Sequence, residues 1–340
     1  MTEIVAASNL SPASQQAEKT LAIRLFGVTD IPAAMRKMNW NVAADLMQYW
    51  FDGKPWSTID GAMTNEVKGH TALALEPYFN SAIVKMSWLV GFERANEVLN
   101  ILRVAWRNGP AQEQIRKKIL PQFNARTPGV YPLRFNGDAR SVEIFGYCNS
   151  RSVNFGLTDE INELRAALAD FNIRVFPEGE VVVTEDNVRL LVSRIGFYVE
   201  DAYDFNDAPN SFFSQPLGFW NFDGIAGPIA ANASNVALGQ AQSAIARNSF
   251  ISAASDRMYQ EIDEARYFYI KNSHFVAYRR KTRKGGDFQV FSDVLYERCP
   301  SRCHEAVGVS SCGVKNQYEC CLGIHFLMQD EYWKSDGAQW

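Results

Sequence analysis

This sequence of 340 residues has few histidines, no large excess of positive or negative charge, and no long apolar run. With four histidines in total, a histidine-rich metal site is not expected. The formal net charge of −4 argues against a nucleic-acid partner, because proteins that bind nucleic acid generally carry a basic excess. No nucleophile elbow, phosphate-binding glycine-rich loop or His-Glu-x-x-His motif is present, so the common motif-bearing hydrolases and nucleotide-binding folds are not indicated.

Signals for export and membrane insertion are also missing. Residues 1–10 have neither the positive region nor the apolar region of a secretory signal. No stretch of about 20 residues is apolar enough to span a bilayer. The nearest candidate, residues 227–246, is rich in alanine but interrupted by asparagine, glutamine and serine. We therefore expect a protein made in the cytoplasm without a transmembrane span, which would need a route other than general secretion to act elsewhere.

The sequence divides into four regions by composition and periodicity. Residues 1–20 are rich in serine, alanine and glutamine and are predicted to be disordered. Residues 21–125 read as mainly helical, since apolar residues recur at spacings of three and four over 35–50 and 95–106. Residues 126–297 form a region of strands and helices that carries the candidate site, and residues 298–340 form a cysteine-rich extension.

The predicted fold class is α+β, with a helical N-terminal half and a mostly antiparallel β-sheet in the C-terminal half. Enrichment in β-branched and aromatic residues predicts strands over 141–147, 172–176, 180–184 and 188–199. The sequence also predicts a hairpin formed by residues 274–280 and 288–294, because glycines lie between these two segments.

An aromatic and acidic block follows the last of these strands. It contains Asp201, Tyr203 and Asp204, with further carboxylates at Glu200 and Asp207. Clustered carboxylates can hold a hard cation such as Mg²⁺ or Ca²⁺, or raise one another's pKa for acid–base chemistry. The alternative is an acidic strand end whose carboxylates cap neighbouring backbone amides.

A second block combines His274 and Arg279 with the basic residues that follow them. In the functional interpretation, these residues bind an anion such as phosphate and His274 acts as a general base or acid. The structural alternative is an edge strand that its charges protect from aggregation.

Five of the six cysteines are crowded near the C-terminus. This tail offers enough ligands for one tetrahedral structural zinc, although reduced thiols are the alternative. Cys148 stands apart and is predicted to be a core residue. The candidate zinc ligands are Cys299, Cys303, His304, Cys312, Cys320 and Cys321.

An ordered set of blocks in this chain resembles a bacterial family of unknown function whose members tend to be encoded beside type VI secretion genes. The resemblance implies an effector or an effector-associated protein, with a secretion spike protein and an immunity protein as partners. It covers roughly residues 28–294 and leaves out the cysteine-rich tail. The blocks are residues 30–40, 46–51, 85–88, 196–205, 215–220 and 272–293.

The segment from Asp201 to Asp204 is also similar to the Asp-x-Tyr-Asp core of colicin M-type toxins, which cleave the lipid-linked peptidoglycan precursor at its phosphate. This similarity implies a lipid-linked phosphate substrate. Those toxins have a His-Arg pair shortly after the core, whereas asparagine and aspartate follow here. His274 and Arg279 would have to supply the missing pair.

The leading functional hypothesis is an antibacterial effector that hydrolyses a phosphate ester or pyrophosphate of a cell-envelope precursor. In it, Asp201 and Asp204 bind metal or act as bases, and Arg279 stabilises developing charge. One alternative is a non-enzymatic adaptor that loads an effector onto the secretion spike. Another alternative is a pore-forming toxin that inserts residues 227–246 into a membrane. The aromatic anchors of the adaptor would be Phe212, Phe213, Phe219 and Trp220.

Overall fold

The computed structural model describes residues 24–156, 159–207, 214–247, 261–299 and 306–310. Within them the fold is α+β, as predicted, with a helical N-terminal part and a mostly antiparallel sheet. The segment predicted to be disordered, residues 1–20, and most of the cysteine-rich tail lie outside the described residues.

Helices dominate the described chain up to residue 123, and their apolar faces form much of one large core. The predicted helix over residues 30–50 is divided in two, because Asn39 adopts a left-handed conformation with φ of 62° that a helix cannot continue through. Short 3₁₀ turns lie at Val28–Asp30 and Leu120–Phe123, and a π-helical turn at Ile115–Ile119. The α-helices are α1 (Ile31–Lys37), α2 (Asn41–Asp52), α3 (Asn65–Lys68), α4 (Met86–Leu89), α5 (Glu93–Ala105) and α6 (Gly109–Gln114).

A long antiparallel hairpin of two strands, β4 (Phe171–Val183) and β5 (Asn187–Tyr203), is the centre of the large sheet. β4 is buried over most of its length, and β5 is continuously buried over residues 195–200, which places this part of the hairpin in the core. The other strands of this sheet pair with the hairpin or extend it at its edges. They are β1 (Phe79–Asn80), β2 (Gly129–Leu133), β3 (Asn149–Val153), β9 (Phe288–Phe291), β10 (Leu295–Arg298) and β11 (Ala306–Ser310).

A smaller antiparallel sheet packs beside the first one. It has the strand order β7-β6-β8, formed by β6 (Pro216–Asn221), β7 (Gly224–Ala226) and β8 (Phe268–Lys271). The remaining helices are α7 (Ala139–Phe145), α8 (Glu163–Leu168), α9 (Pro228–Arg247) and α10 (Asn272–Thr282). α9 covers the segment considered for a pore, and no helix among the described residues is long and apolar enough to cross a membrane.

Two predicted strands are helices, so those predictions were wrong. Residues 141–147 fall largely in α7, whose first turn is capped by the Asp138 carboxylate accepting from the backbone N–H of Arg140. The first arm of the predicted hairpin is α10, which buries Phe275 and Arg279 four residues apart on one face. Its basic residues lie in the last turn, where their positive charges interact favourably with the negative end of the helix dipole. Arg283 ends the helix in a left-handed conformation.

The end of β5 positions the candidate site. Its last residues pair with β9 in antiparallel register, with Asp201 opposite Val290 and Tyr203 opposite Phe288. Because successive strand residues point to opposite faces, Glu200 and Ala202 share one face while Asp201 and Tyr203 share the other.

Candidate functional site

A cavity of about 550 Å³ lies at the end of β5. Apolar side chains of α1, α2 and α10 form part of its wall, and the smaller sheet closes another part with Trp220 and Ile225. This volume is in the range of small-molecule sites, which combine an apolar lining with a few polar groups. The charged or amide residues that line it include Lys68, Arg165, Asp170, Asp201, Asp204 and Asn206.

Asp201 lines this cavity and is partly exposed. Burial of the carboxyl, followed by the nearby negative charges of Glu200, Asp204 and Asp170, raises its pKa well above the usual range. A hydrogen bond from the backbone N–H of Ala202 acts in the opposite direction and is too weak to offset these influences. The charges of Glu200 and Asp204 thus add to the effect of burial at Asp201, in the direction expected of clustered carboxylates.

Asp204 also lines the cavity, but its carboxylate already has an ion-pair partner and two hydrogen-bond donors. The side chain is 8% exposed, and Oδ1 lies 2.8 Å from Nζ of Lys68. The same oxygen accepts hydrogen bonds from the backbone N–H of Asn206 at 2.9 Å and from its Nδ2 at 3.2 Å. Asp204 therefore holds the turn after β5 and places a lysine at the cavity.

Tyr203 is a core residue. Its ring stacks on Phe288 with centroids 5.0 Å apart and meets Phe205 edge to face. Burial raises the pKa of its hydroxyl, so the phenolate form is inaccessible at ordinary pH. Tyr203 forms part of the cavity wall, and its burial disfavours a catalytic role for the tyrosine of the Asp-x-Tyr-Asp segment.

Arg279 does not line the cavity, because it is buried in an ion pair with Asp287. Its Nε donates to the carbonyl oxygen of Gly285 at 2.9 Å and its Nη1 to Oδ1 of Asn206 at 3.1 Å. Asp287 also accepts from Nε1 of Trp50 at 2.8 Å. The guanidinium thus links the turn after α10 to α2, and this placement does not support the role of stabilising developing charge that the sequence predicted for Arg279.

His274 is exposed on the first turn of α10, and its Nδ1 accepts from the backbone N–H of Lys271 at 3.3 Å. It does not line the cavity either. The predicted pairing of His274 and Arg279 with the Asp-x-Tyr-Asp segment is therefore not formed. The reason is that residues 272–282 are helical, which turns Arg279 into the core and leaves His274 outside.

The predicted metal sites gain no support from the described residues. Among them, no three His, Cys, Asp or Glu side chains come together in a way that could hold a metal ion. The Mg²⁺ or Ca²⁺ site predicted at Asp201 and Asp204 thus lacks a third protein ligand of these types within the described ranges. Cys299 is partly buried against the core, and its backbone N–H donates to Ser193 O at 3.1 Å. The other candidate zinc ligands, Cys303, His304, Cys312, Cys320 and Cys321, lie outside the described residues.

Cys148 is buried in the core as predicted. Its thiol donates to Val175 O at 3.3 Å. Burial raises its pKa, which keeps the thiol protonated and unreactive.

The cavity contains residues that the sequence did not single out. Lys68 ends the short helix α3, inside a segment that several glycines and prolines interrupt. Arg165 lies on α8, and Asp170 follows that helix with its Oδ1 accepting from the backbone N–H of Phe155 at 2.8 Å. No motif joins these positions to Asp201, since only the fold brings them together.

The comparisons with known proteins identify a family. No curated protein and no solved structure matches the chain. A model described as a family of unknown function, DUF6402, matches residues 26–304. The match carries no link to type VI secretion or to colicin M-type toxins. Because it spans most of the sequence, including the cavity, the chain belongs to the DUF6402 family.

Proposed function

We propose that the cavity is the active site of a hydrolase in which Asp201 is the general acid. The observation that supports this is a carboxyl group that lines a cavity of small-molecule size and has a strongly raised pKa. Such a carboxyl stays protonated to higher pH than an ordinary aspartic acid and can donate its proton to a leaving-group oxygen. Perturbed carboxyls in clefts are a recognised sign of acid–base catalysis.

The substrate class proposed is a phosphate ester or pyrophosphate of a cell-envelope precursor, as the resemblance to the Asp-x-Tyr-Asp toxins implies. Water attacks phosphorus and the phosphorus–oxygen bond to the leaving group breaks. Asp201 protonates the departing oxygen, and the proton that the attacking water loses passes to the solvent, from which Asp201 regains its own. Lys68 and Arg165 line the same cavity and supply the positive charge that the phosphoryl oxygens need. Lys68 takes the place first assigned to Arg279.

The biological role proposed is that of an antibacterial effector delivered by a type VI-like secretion system, with an immunity protein in the producing cell. This part rests on the gene neighbourhood of the family that the chain resembles. The cavity supports an enzyme, and the resemblance suggests where the enzyme acts.

A second candidate is an adaptor that docks on a secretion spike protein. Exposed apolar side chains near the smaller sheet favour it, since Ile229 is 88% exposed, Val236 61% and Tyr269 44%. Of the predicted aromatic anchors, Trp220 is buried and Phe219 packs against Tyr269. Phe212 and Phe213 lie outside the described residues.

The test is growth of a susceptible bacterium that expresses the chain in the cytoplasm or exports it to the periplasm. We expect killing in one compartment, its loss in Asp201→Asn, and full killing by the control Asp60→Asn, whose side chain is 67% exposed. Asp204→Ala is a poorer test, because it also releases Lys68 and Asn206. Undiminished killing by Asp201→Asn would refute the assignment of Asp201. Failure to kill in either compartment, together with copurification of a spike protein, would favour the adaptor.

A further inference from the structure

The face of β5 opposite the cavity carries a second polar site, centred on Glu200. This carboxylate is completely buried. Its Oε2 accepts from Nη2 of Arg174 at 2.6 Å, and its Oε1 accepts from Nε2 of Gln289 at 2.8 Å. Arg174 and Gln289 lie on the neighbouring strands β4 and β9, so the sheet fixes the orientation of the carboxylate.

His70 is the third side chain that contacts the Glu200 carboxylate. Its Nδ1 lies 2.7 Å from Oε1, and its side chain is 30% exposed. In the part of the chain that the structure describes, no hydrogen bond or ion pair to its Nε2 is present. The ring thus joins a rigid, fully buried carboxylate to the protein surface.

The backbone at His70 is held in an uncommon conformation. Its φ of 58° lies in the left-handed region, which only a few per cent of residues other than glycine adopt. The loop keeps it there because the His70 N–H donates to Val67 O at 3.0 Å and the Thr71 N–H to Glu66 O at 2.8 Å. A left-handed residue just after the C-cap is a common way for a helix to end, and here the ending of α3 fixes the position of His70 beside Glu200.

We propose that His70 and Glu200 form a carboxylate–imidazole dyad in which Nε2 of His70 is a nucleophile toward activated acyl groups. A carboxylate bound to Nδ1 fixes the proton on that nitrogen and leaves the lone pair on Nε2. The same carboxylate stabilises the positive charge that develops on the ring when Nε2 attacks a carbonyl carbon. The dyad stands independently of the proposed hydrolase, because it lies on the other face of the strand.

Diethyl pyrocarbonate is the probe for this reactivity. Nε2 attacks one carbonyl carbon, the bond from that carbon to the bridging oxygen breaks, and ethyl carbonate leaves with the electron pair. The Nδ1 proton then passes to the solvent, leaving an ethoxycarbonyl group on Nε2. His274 is the internal comparator, because it is exposed and its Nδ1 accepts from a backbone N–H rather than meeting a carboxylate.

The rates of modification at His70 and His274 are measured by mass spectrometry of the full chain after short exposures. We expect His70 to react roughly tenfold faster, a smaller factor than the roughly hundredfold or more that a positioned general acid or base typically contributes to catalysis. In Glu200→Gln the ratio should fall to about one, because a neutral amide neither fixes the tautomer nor stabilises the charged ring. His70→Asn, which tolerates the left-handed conformation, identifies the modified peptide.

A second measurement keeps the test valid if Glu200→Gln fails to fold. Long-range ¹H–¹⁵N NMR spectra of the wild-type chain report which nitrogen of each neutral imidazole carries the proton. We expect the proton of His70 on Nδ1. Equal modification rates at His70 and His274 in the wild type, or a neutral His70 with the proton on Nε2, would overturn the proposal.

Discussion

Glu200 and Asp201 are consecutive residues on β5, yet their carboxyl groups have opposite surroundings. Around Glu200, burial would raise the pKa, but His70, Arg174 and Gln289 together outweigh it and the pKa is lowered. At Asp201, burial is joined by the negative charges of neighbouring carboxylates, and the pKa is raised. Burial is thus common to both groups, and the hydrogen-bond donors and cations brought by other strands and loops decide the direction of the shift.

The two carboxyl groups therefore differ in what their burial does to the fold. A buried carboxylate whose hydrogen bonds are all made holds its neighbours in place, whereas burying a carboxyl without a cation destabilises the fold, and such groups are concentrated at functional sites. Three experiments test this comparison. The first removes Arg174, the cation beside Glu200, and the second follows the effect of both carboxyl groups on stability through pH. The third removes Lys68, the cation beside the cavity.

The largest effect is expected at Arg174, which is 3% exposed and bridges Glu143 at 2.7 Å and Glu200 at 2.6 Å. Arg174→Met leaves two buried carboxylates without their shared cation, so we expect the free energy of unfolding to fall by about 3–5 kcal/mol. Urea denaturation measures it. The control, Arg280→Met, changes an arginine that is 68% exposed and should alter stability by less than about 0.5 kcal/mol. A loss below about 1 kcal/mol for Arg174→Met would show that the buried network is not a major source of stability.

At Asp201 we expect a substitution to have an intermediate effect on the free energy of unfolding, and to increase stability rather than reduce it. Its folded-state pKa is raised, so the folded chain binds this proton more tightly than the unfolded chain. The stability contributed by the proton is fully present below the unfolded pKa of about 3.9 and is lost as pH rises through the folded value. Above that value we expect Asp201→Asn to be more stable than the wild type by on the order of 1 kcal/mol.

Denaturation curves of the wild type and Asp201→Asn at several pH values test this sign. Glu200 provides the matched contrast, because its lowered pKa contributes stability above the unfolded value of about 4.3 that is lost as pH falls through the folded value. An Asp201→Asn variant that is less stable than the wild type at every pH, up to the highest at which the chain folds, would contradict the assignment of a cavity-lining carboxyl with a raised pKa.

The smallest effect on stability is expected at Lys68, the cation beside the cavity. Its side chain is 43% exposed and pairs with Asp204 at 2.8 Å, so Lys68→Met should change the free energy of unfolding by less than about 1 kcal/mol. Urea denaturation compares it with Lys37→Met, which removes a pair with Asp223 in which both side chains are more than half exposed. A loss above about 2 kcal/mol, well outside the range of exposed ion pairs, would mean that Lys68 is structural and would weaken its role at the active site.

The sequence located one of the two polar sites and missed the other. The block around Asp201 was found because its acidic and aromatic residues are adjacent in the chain. The partners of Glu200 could not be found in this way, since Arg174 and His70 lie 26 and 130 residues from it. Likewise, nothing in the local pattern around Lys68 indicates that it meets Asp204, which is 136 residues further along the chain.

By itself, the sequence determined the α+β class, the helical N-terminal region, the β4–β5 strands and the burial of Cys148, because each depends on local periodicity or apolar content. Only the tertiary structure decided which polar residues are available for chemistry. Residues 272–282 show why, since a basic segment that resembled a strand became a helix that buried Arg279 against Asp287. The reactivity of a side chain depends on its burial and on charged partners that are distant in sequence. These partners meet only when the chain folds.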